Sequence, residues 1–167
     1  MTRLEAAAAV IIQEQPDLVA LQEVTRALSG TESSSAAHWL ADRCGYSSLE
    51  LQPRPDAPGE ALAVIGKVPL ARVPFPSLDP MALRVRCQIG DARLALTNVH
   101  LNWRRIGLRE QEIVTVVKGI TASADPTHHE LLAGDFNSTP ASSVLRRSGR
   151  RESAAGCRSL CKCSATR

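Results

Sequence analysis

Aromatic side chains are scarce in this chain: two Phe, two Trp and one Tyr make up 3% of 167 residues. Any core must therefore be built from Leu, Val, Ile and Ala. No apolar run approaches the ~20 residues that a membrane-crossing helix needs, so no membrane span is expected. The stretch Ala6 to Ile12 is short and follows Glu5. The Gln13-Glu14-Gln15-Pro16 that comes after it is not a small-residue cleavage site, so it reads as a core helix rather than a leader. A cytoplasmic monomer is the expectation. The cysteines number five, an odd total that argues against a secreted disulfide framework. Cys157, Cys161 and Cys163 have no usual zinc spacing, and with His128-His129 elsewhere in the chain no zinc site is expected. Phosphate-loop glycines and internal repeats are absent too.

Charge is divided unevenly. From Ala141 onward lie 7 of the 20 Lys and Arg but only one of the 17 acids, Glu152, which leaves residues 1–140 slightly acidic. The basic balance often taken as a sign of nucleic-acid binding thus comes from the tail alone. Two regions follow: a body, 1–140, long enough for one real core, and a basic Arg/Ser/Cys-rich tail, 141–167. The tail lacks a sustained apolar period and is expected to be disordered.

Within the body, Thr2-Arg3-Leu4-Glu5 has capping-box form. Leu4, Ala7, Ala8, Ile11 and Ile12 give a helical stripe that Pro16 stops. Leu18 to Val24 reads as a strand, Thr25 to Ser35 as a polar loop, and Ala36 to Cys44 as a helix ended by Gly45. Gln52 to Gly59, with three prolines, reads as a loop, and Ala61 to Ile65 as a buried strand. Pro69 to Pro80 is irregular or on an edge. Leu83, Val85, Cys87 and Ile89 alternate with Arg84, Arg86 and Gln88, as in a half-buried strand. Gly90-Asp91 turns into the strand that ends at His100. Arg104 to Ala122 is helical, and Asp125-Pro126 breaks before a last strand. This alternation predicts a layered α/β sandwich.

Chemistry concentrates at strand ends. Leu131-Leu132-Ala133-Gly134-Asp135-Phe136-Asn137 is a buried strand that gives way at Gly134 to a carboxylate and a carboxamide. If the chain stays extended, Asp135 and Asn137 project together. Asp17 to Val24 is a strand with Glu23 near its end, and Leu94 to Leu101 carries His100. One rim could hold all of them, as sites at the carboxyl ends of open sheets do. Asn98 shares the face of His100, where contact with substrate and a structural role are equally open. Trp103 could stack on a base or pack against the body, and packing is the reading adopted.

The segments Pro16 to Val24, Thr97-Asn98-Val99-His100-Leu101 and Gly134-Asp135-Phe136-Asn137 resemble the endonuclease/exonuclease/phosphatase superfamily, the deoxyribonuclease-I-like fold. Glu60 to Leu70 is similar to the family's middle strand. The resemblance covers roughly residues 3 to 140. It implies a layered β-sandwich of two mixed sheets flanked by helices. The family's opening strand ending in Asn, its Trp-x-Asp strand and its closing Ser-Asp-His have no counterpart here. The implied fold is therefore incomplete, truncated at both ends.

The resemblance also implies an activity: hydrolysis of a phosphoester, in a nucleic acid or a phosphorylated small molecule or lipid, with Mg²⁺ or Mn²⁺. Glu23 is the expected metal ligand, since Mg²⁺ prefers carboxylate and water. Asp135 is suited to accept a proton from water, with Asn137 holding the geometry. His100, when protonated, would donate to the non-bridging oxygens. Without the family's second histidine, low activity is expected. The competing readings are a non-catalytic remnant and a module that binds a phosphorylated ligand or nucleic acid.

Overall fold

A computed structural model describes residues 2–25, 35–54, 57–75 and 82–138. The tail, and residues 26–34 and 76–81 of the two irregular stretches, lie outside the described residues. The expected helices form where the sequence signals them. The first, α1 (Arg3–Glu14), opens with the capping box: the Thr2 side chain accepts from Glu5 N while Thr2 N donates to Glu5 Oε2. It closes at Gln15 in a left-handed conformation, just before Pro16. The second, α2 (Ala36–Cys44), ends on Gly45 at φ 75°, where a side chain would be strained. The third, α3 (Ile106–Ala122), fills the connection between two parallel strands.

Among the described residues seven strands build two sheets: β1 (Leu18–Thr25), β2 (Ser48–Arg54), β3 (Ala57–Gly66), β4 (Ala71–Arg72), β5 (Ala82–Ile89), β6 (Ala92–His100) and β7 (His129–Asp135). The first sheet has the order β1-β3-β2 and the second β4-β5-β6-β7. Among the described residues the first sheet is antiparallel throughout, where a mixed sheet was expected. The second is mixed, with β6 and β7 parallel.

The sheets pack face to face. Leu62 and Val64 of β3 meet Leu83 and Val85 of β5 and Leu96 of β6, and all five are buried. Burying each such side chain stabilises by roughly 1.5–3 kcal/mol. On the other face of β3, Ile65 packs under α1 and α2 with Ala8, Ile11, Leu40 and Ala41. The outer face of the second sheet is covered by α3 through Ile113 and Val116, which pack on Val99 and Leu101. The layers are thus helix, sheet, sheet, helix. No helix among the described residues is long and apolar enough to cross a membrane.

Two local expectations change. The stretch from Gln52 is not all loop, because β2 runs on to Arg54 with Pro53 paired to Ala61. β2 is the edge strand of its sheet, where a proline's missing N–H costs no ladder bond. On β5, Gln88 keeps its place in solvent but Arg84 does not. Arg84 is 1% exposed; it donates to Glu130 Oε1 at 2.7 Å and to Thr97 Oγ1 at 2.9 Å. Side-chain alternation alone does not reveal that α3 covers this face.

The turn into β7 carries a pH-dependent contact. Asp125 accepts from Thr127 Oγ1 at 2.7 Å and from Thr127 N at 2.9 Å, and His128 Nδ1 lies 3.3 Å away. These donors, the hydroxyl first, lower its carboxyl from 3.8 to about 2. The folded value lies below the unfolded one, so the turn's contribution is complete above pH 3.8 and is lost as pH falls through about 2. An NMR titration should place Asp125 near 2, and Thr127→Val should raise it. A wild-type midpoint near 3.8 would contradict the hydrogen-bonded turn.

Candidate active site

A bulge at the end of β1 creates the site. The β1–β3 register shifts between Leu21 and Val24, with Leu21 opposite Ala63 and Val24 opposite Ala61. One extra residue is thereby inserted, and Glu23 takes φ 54°. A left-handed glutamate is uncommon and needs support. Support comes from the opposite sheet. The buried Asn98 on β6 donates from Nδ2 to Leu21 O at 2.9 Å and to Ala63 O at 3.0 Å, and Gln22 Nε2 donates to Asn98 Oδ1 at 2.7 Å. Asn98 is fully buried, so of its two open readings the structural one holds.

His100 ends β6 two residues later, buried to 3%. Its Nε2 lies 3.8 Å from Glu23 Oε1 and 4.0 Å from Asp135 Oδ2. The second contact follows from register, since His100 and Asp135 are paired across the parallel β6–β7 ladder. Both carboxylates are open to solvent, with side chains 67% and 49% exposed. Glu23, His100 and Asp135 thus converge on one rim where the two sheets meet.

Asn137 does not continue the extended strand of Asp135. The chain leaves the extended state after β7, and Asn137 adopts φ 48°. Its N–H donates to Asp135 Oδ1 at 2.7 Å, and its Nδ2 donates to Leu101 O at 2.8 Å. Leu101 N in turn donates to Asp135 O at 2.9 Å. The carboxamide therefore ties the Asp135 turn to the end of β6. The i, i+2 rule does not apply because the strand ends at Asp135: the Asp135 carboxylate closes a turn on Asn137 N–H, and asparagine tolerates the left-handed conformation there.

Arg54 belongs to the site although no signal in the sequence singled it out. It ends β2 inside the proline-rich stretch and is 6% exposed. Its Nη1 lies 2.6 Å from His100 Nδ1 and 3.8 Å from Glu60 Oε2. A guanidinium only donates, so Nδ1 must present its lone pair and the ring hydrogen sits on Nε2. The expectation of a protonated His100 is therefore corrected: the buried guanidinium holds a neutral imidazole whose Nε2–H is aimed between the two carboxylates. A cavity of about 350 Å³ bordered by Gln52, Arg72, Phe75 and Arg84 lies apart from this rim, and none of Glu23, His100 or Asp135 lines it.

With the rim assembled, the sequence itself decides the family: residues 1–164 match the Endonuclease/Exonuclease/phosphatase family. The chain belongs to that family. The match runs past residue 140, where the sequence resemblance was placed. No curated protein matches the chain.

Solved structures agree on the fold. A humanized D. rerio TDP2 carrying 14 mutations is 20% identical, with a TM-score of 0.67 over 88% of this chain and 62% of that one. Sphingomyelinase C from Streptomyces griseocarneus is 18% identical, with a TM-score of 0.66 over 86% of this chain and 59% of that one. ANGEL2, a 2′,3′-cyclic phosphatase, is 20% identical, with a TM-score of 0.62 over 84% and 45%. The chain spans 62% of the first of these and less of the other two. At such identities the likeness shows the deoxyribonuclease-I-like fold alone.

A divalent ion is compatible with the donors present. Among the described residues no group of three or more His, Cys, Asp or Glu could hold a metal. Mg²⁺, however, usually takes one or two carboxylates and keeps several waters. Glu23 and Asp135 are two exposed oxygen donors. The set suits a hard, partly hydrated cation.

Proposed function

We propose that this chain hydrolyses phosphoesters with the help of a divalent ion, Mg²⁺ or Mn²⁺, at the Glu23–His100–Asp135 rim. The family comprises hydrolytic phosphoesterases that generally use a divalent metal. The observation that carries the proposal is the imidazole Nε2 of His100, flanked at 3.8 and 4.0 Å by two exposed carboxylates from different sheets. Glu23 is the residue to hold the ion, which when bound would offset phosphate charge and polarise a phosphoryl oxygen. Asp135 accepts the proton of the attacking water, and Asn137 keeps that carboxylate in place through its hold on Leu101. The Nε2–H of His100 donates to a non-bridging oxygen where charge builds. Arg54 fixes the nitrogen that bears this hydrogen.

Calorimetry with Mg²⁺ or Mn²⁺ tests the metal role. Weak binding should raise the melting temperature by mass action, by about 2.7 kcal/mol of stability at a hundredfold excess over Kd. Glu23→Ala should remove most of that binding. Absence of divalent-ion binding, or binding unaltered in Glu23→Ala, counts against the site.

A further inference from the structure

Trp103 does not pack against the body, as the sequence reading had it. Its side chain is 63% exposed, and Ile106 and Leu108 beside it are exposed at 66% and 38%. The Arg104 guanidinium lies over the indole, 4.6 Å from the ring centroid. The turn carrying this pair is fixed. Asn102 Oδ1 accepts from Arg104 N at 3.0 Å and from Arg105 N at 2.8 Å, while Asn102 N donates to Glu112 Oε2 at 2.6 Å. The pair is also tied to the rim. Leu101, two residues earlier, bonds through its N–H to Asp135 O and through its carbonyl to Asn137 Nδ2. Two residues of extended chain span at most ~7 Å.

We propose that Trp103 and Arg104 form a base-stacking subsite next to the scissile phosphate, which makes the substrate a nucleotide-bearing phosphoester. This deepens the hydrolytic reading and rests on it for the position of the phosphate. An exposed indole offers a flat face that any nucleobase can cover, and such stacking tolerates every sequence because every base has a π-face. Arg104 supplies a planar cation on the same ring, suited to a base or to the neighbouring phosphate. A bilayer surface fits less well. An interfacial helix turns its apolar face to the lipid, but that of α3 is spent on the sheet, with Ile113 and Val116 buried. Between residues 103 and 108 the three large exposed apolar side chains are interleaved with Arg104, Arg105 and Gly107.

The test is a binding titration in an Asp135→Asn background, which prevents cleavage. The probes are a short single-stranded oligodeoxynucleotide, an abasic deoxyribose-phosphate chain of equal length, and phosphatidylcholine–sphingomyelin vesicles. Trp103→Ala should weaken oligonucleotide binding by about 5- to 150-fold, while Trp103→Phe keeps most of it. The abasic chain should bind weakly and equally to all three proteins. Because the side chain is exposed, the melting temperature should not change. Oligonucleotide binding unaffected by Trp103→Ala overturns the subsite. So do an abasic chain that binds as well as the oligonucleotide, and vesicles captured through Trp103 while the oligonucleotide is not. Trp103-dependent oligonucleotide binding by a wild-type chain that hydrolyses no phosphoester would sink the hydrolytic reading and leave the subsite standing. Hydrolysis of oligonucleotides with kcat and KM unaltered in Trp103→Ala would do the reverse.

Discussion

Asp135→Asn should lower phosphoester hydrolysis by about 100- to 10,000-fold, the range a positioned general base contributes. The substitution is nearly isosteric. The carboxamide oxygen can still accept from Asn137 N–H, and the backbone bond from Leu101 N to Asp135 O is untouched. What disappears is the oxygen able to take a proton. The loss should appear in kcat, with the melting temperature close to that of the wild type. A variant that turns over at the wild-type rate would assign proton abstraction to another group, and Glu23, on the other side of His100 Nε2, would be the first to test.

Gly134→Ala should destabilise the fold by about 3 kcal/mol or more, as overpacking and backbone strain add. A Cβ at this position would lie 2.0 Å from Val99 O and 2.7 Å from Val99 N, and these are backbone atoms of the neighbouring strand that cannot swing aside. The residue also sits at φ 130°, a conformation that side chains disfavour. Gly134 is paired with Val99 one register step before the His100–Asp135 pair. The same substitution should therefore push Asp135 away from the imidazole and lower activity in whatever protein still folds. Urea unfolding measures the first effect. An unchanged midpoint would mean that β6 and β7 do not approach this closely. Domains are stable by only about 5–15 kcal/mol, so the expected loss is a large share of the total.

Both predictions concern a segment that was legible in the sequence. The apolar run Leu131 to Ala133, the glycine and the Asp-x-Asn after it announce a strand with polar groups at its end. The expectation that this strand is buried is corrected: β7 is an edge strand among the described residues, and Leu131, Leu132 and Ala133 are half-buried. Glu23 and His100 were legible for the same reason, since a polar group that closes an apolar strand is placed by the strand. Contacts made across the two sheets were not legible. Arg54 lies 46 residues from His100 in the chain, inside a stretch whose prolines suggest a loop. That those prolines sit harmlessly on an edge strand is a fact of sheet order, which no local pattern encodes. The bulge that lifts Glu23 over His100 is likewise set by Asn98 of the opposite sheet. Asn137 shows the limit of period-two reasoning, because the period ends with the strand. Trp103 shows that an aromatic residue in a core with few aromatics need not belong to that core.

The most direct measurement is the initial rate of hydrolysis of a generic phosphodiester, such as bis(p-nitrophenyl) phosphate, in wild-type protein and His100→Ala. Each would be assayed with Mg²⁺ or Mn²⁺ present and again after chelation. The account predicts a wild-type rate that falls to background on chelation, returns when the ion is restored, and drops about 100- to 1,000-fold in His100→Ala, as loss of one transition-state donor does. A rate that survives chelation, or one that His100→Ala leaves intact, would contradict a metal-assisted site built on this histidine and the two carboxylates beside it.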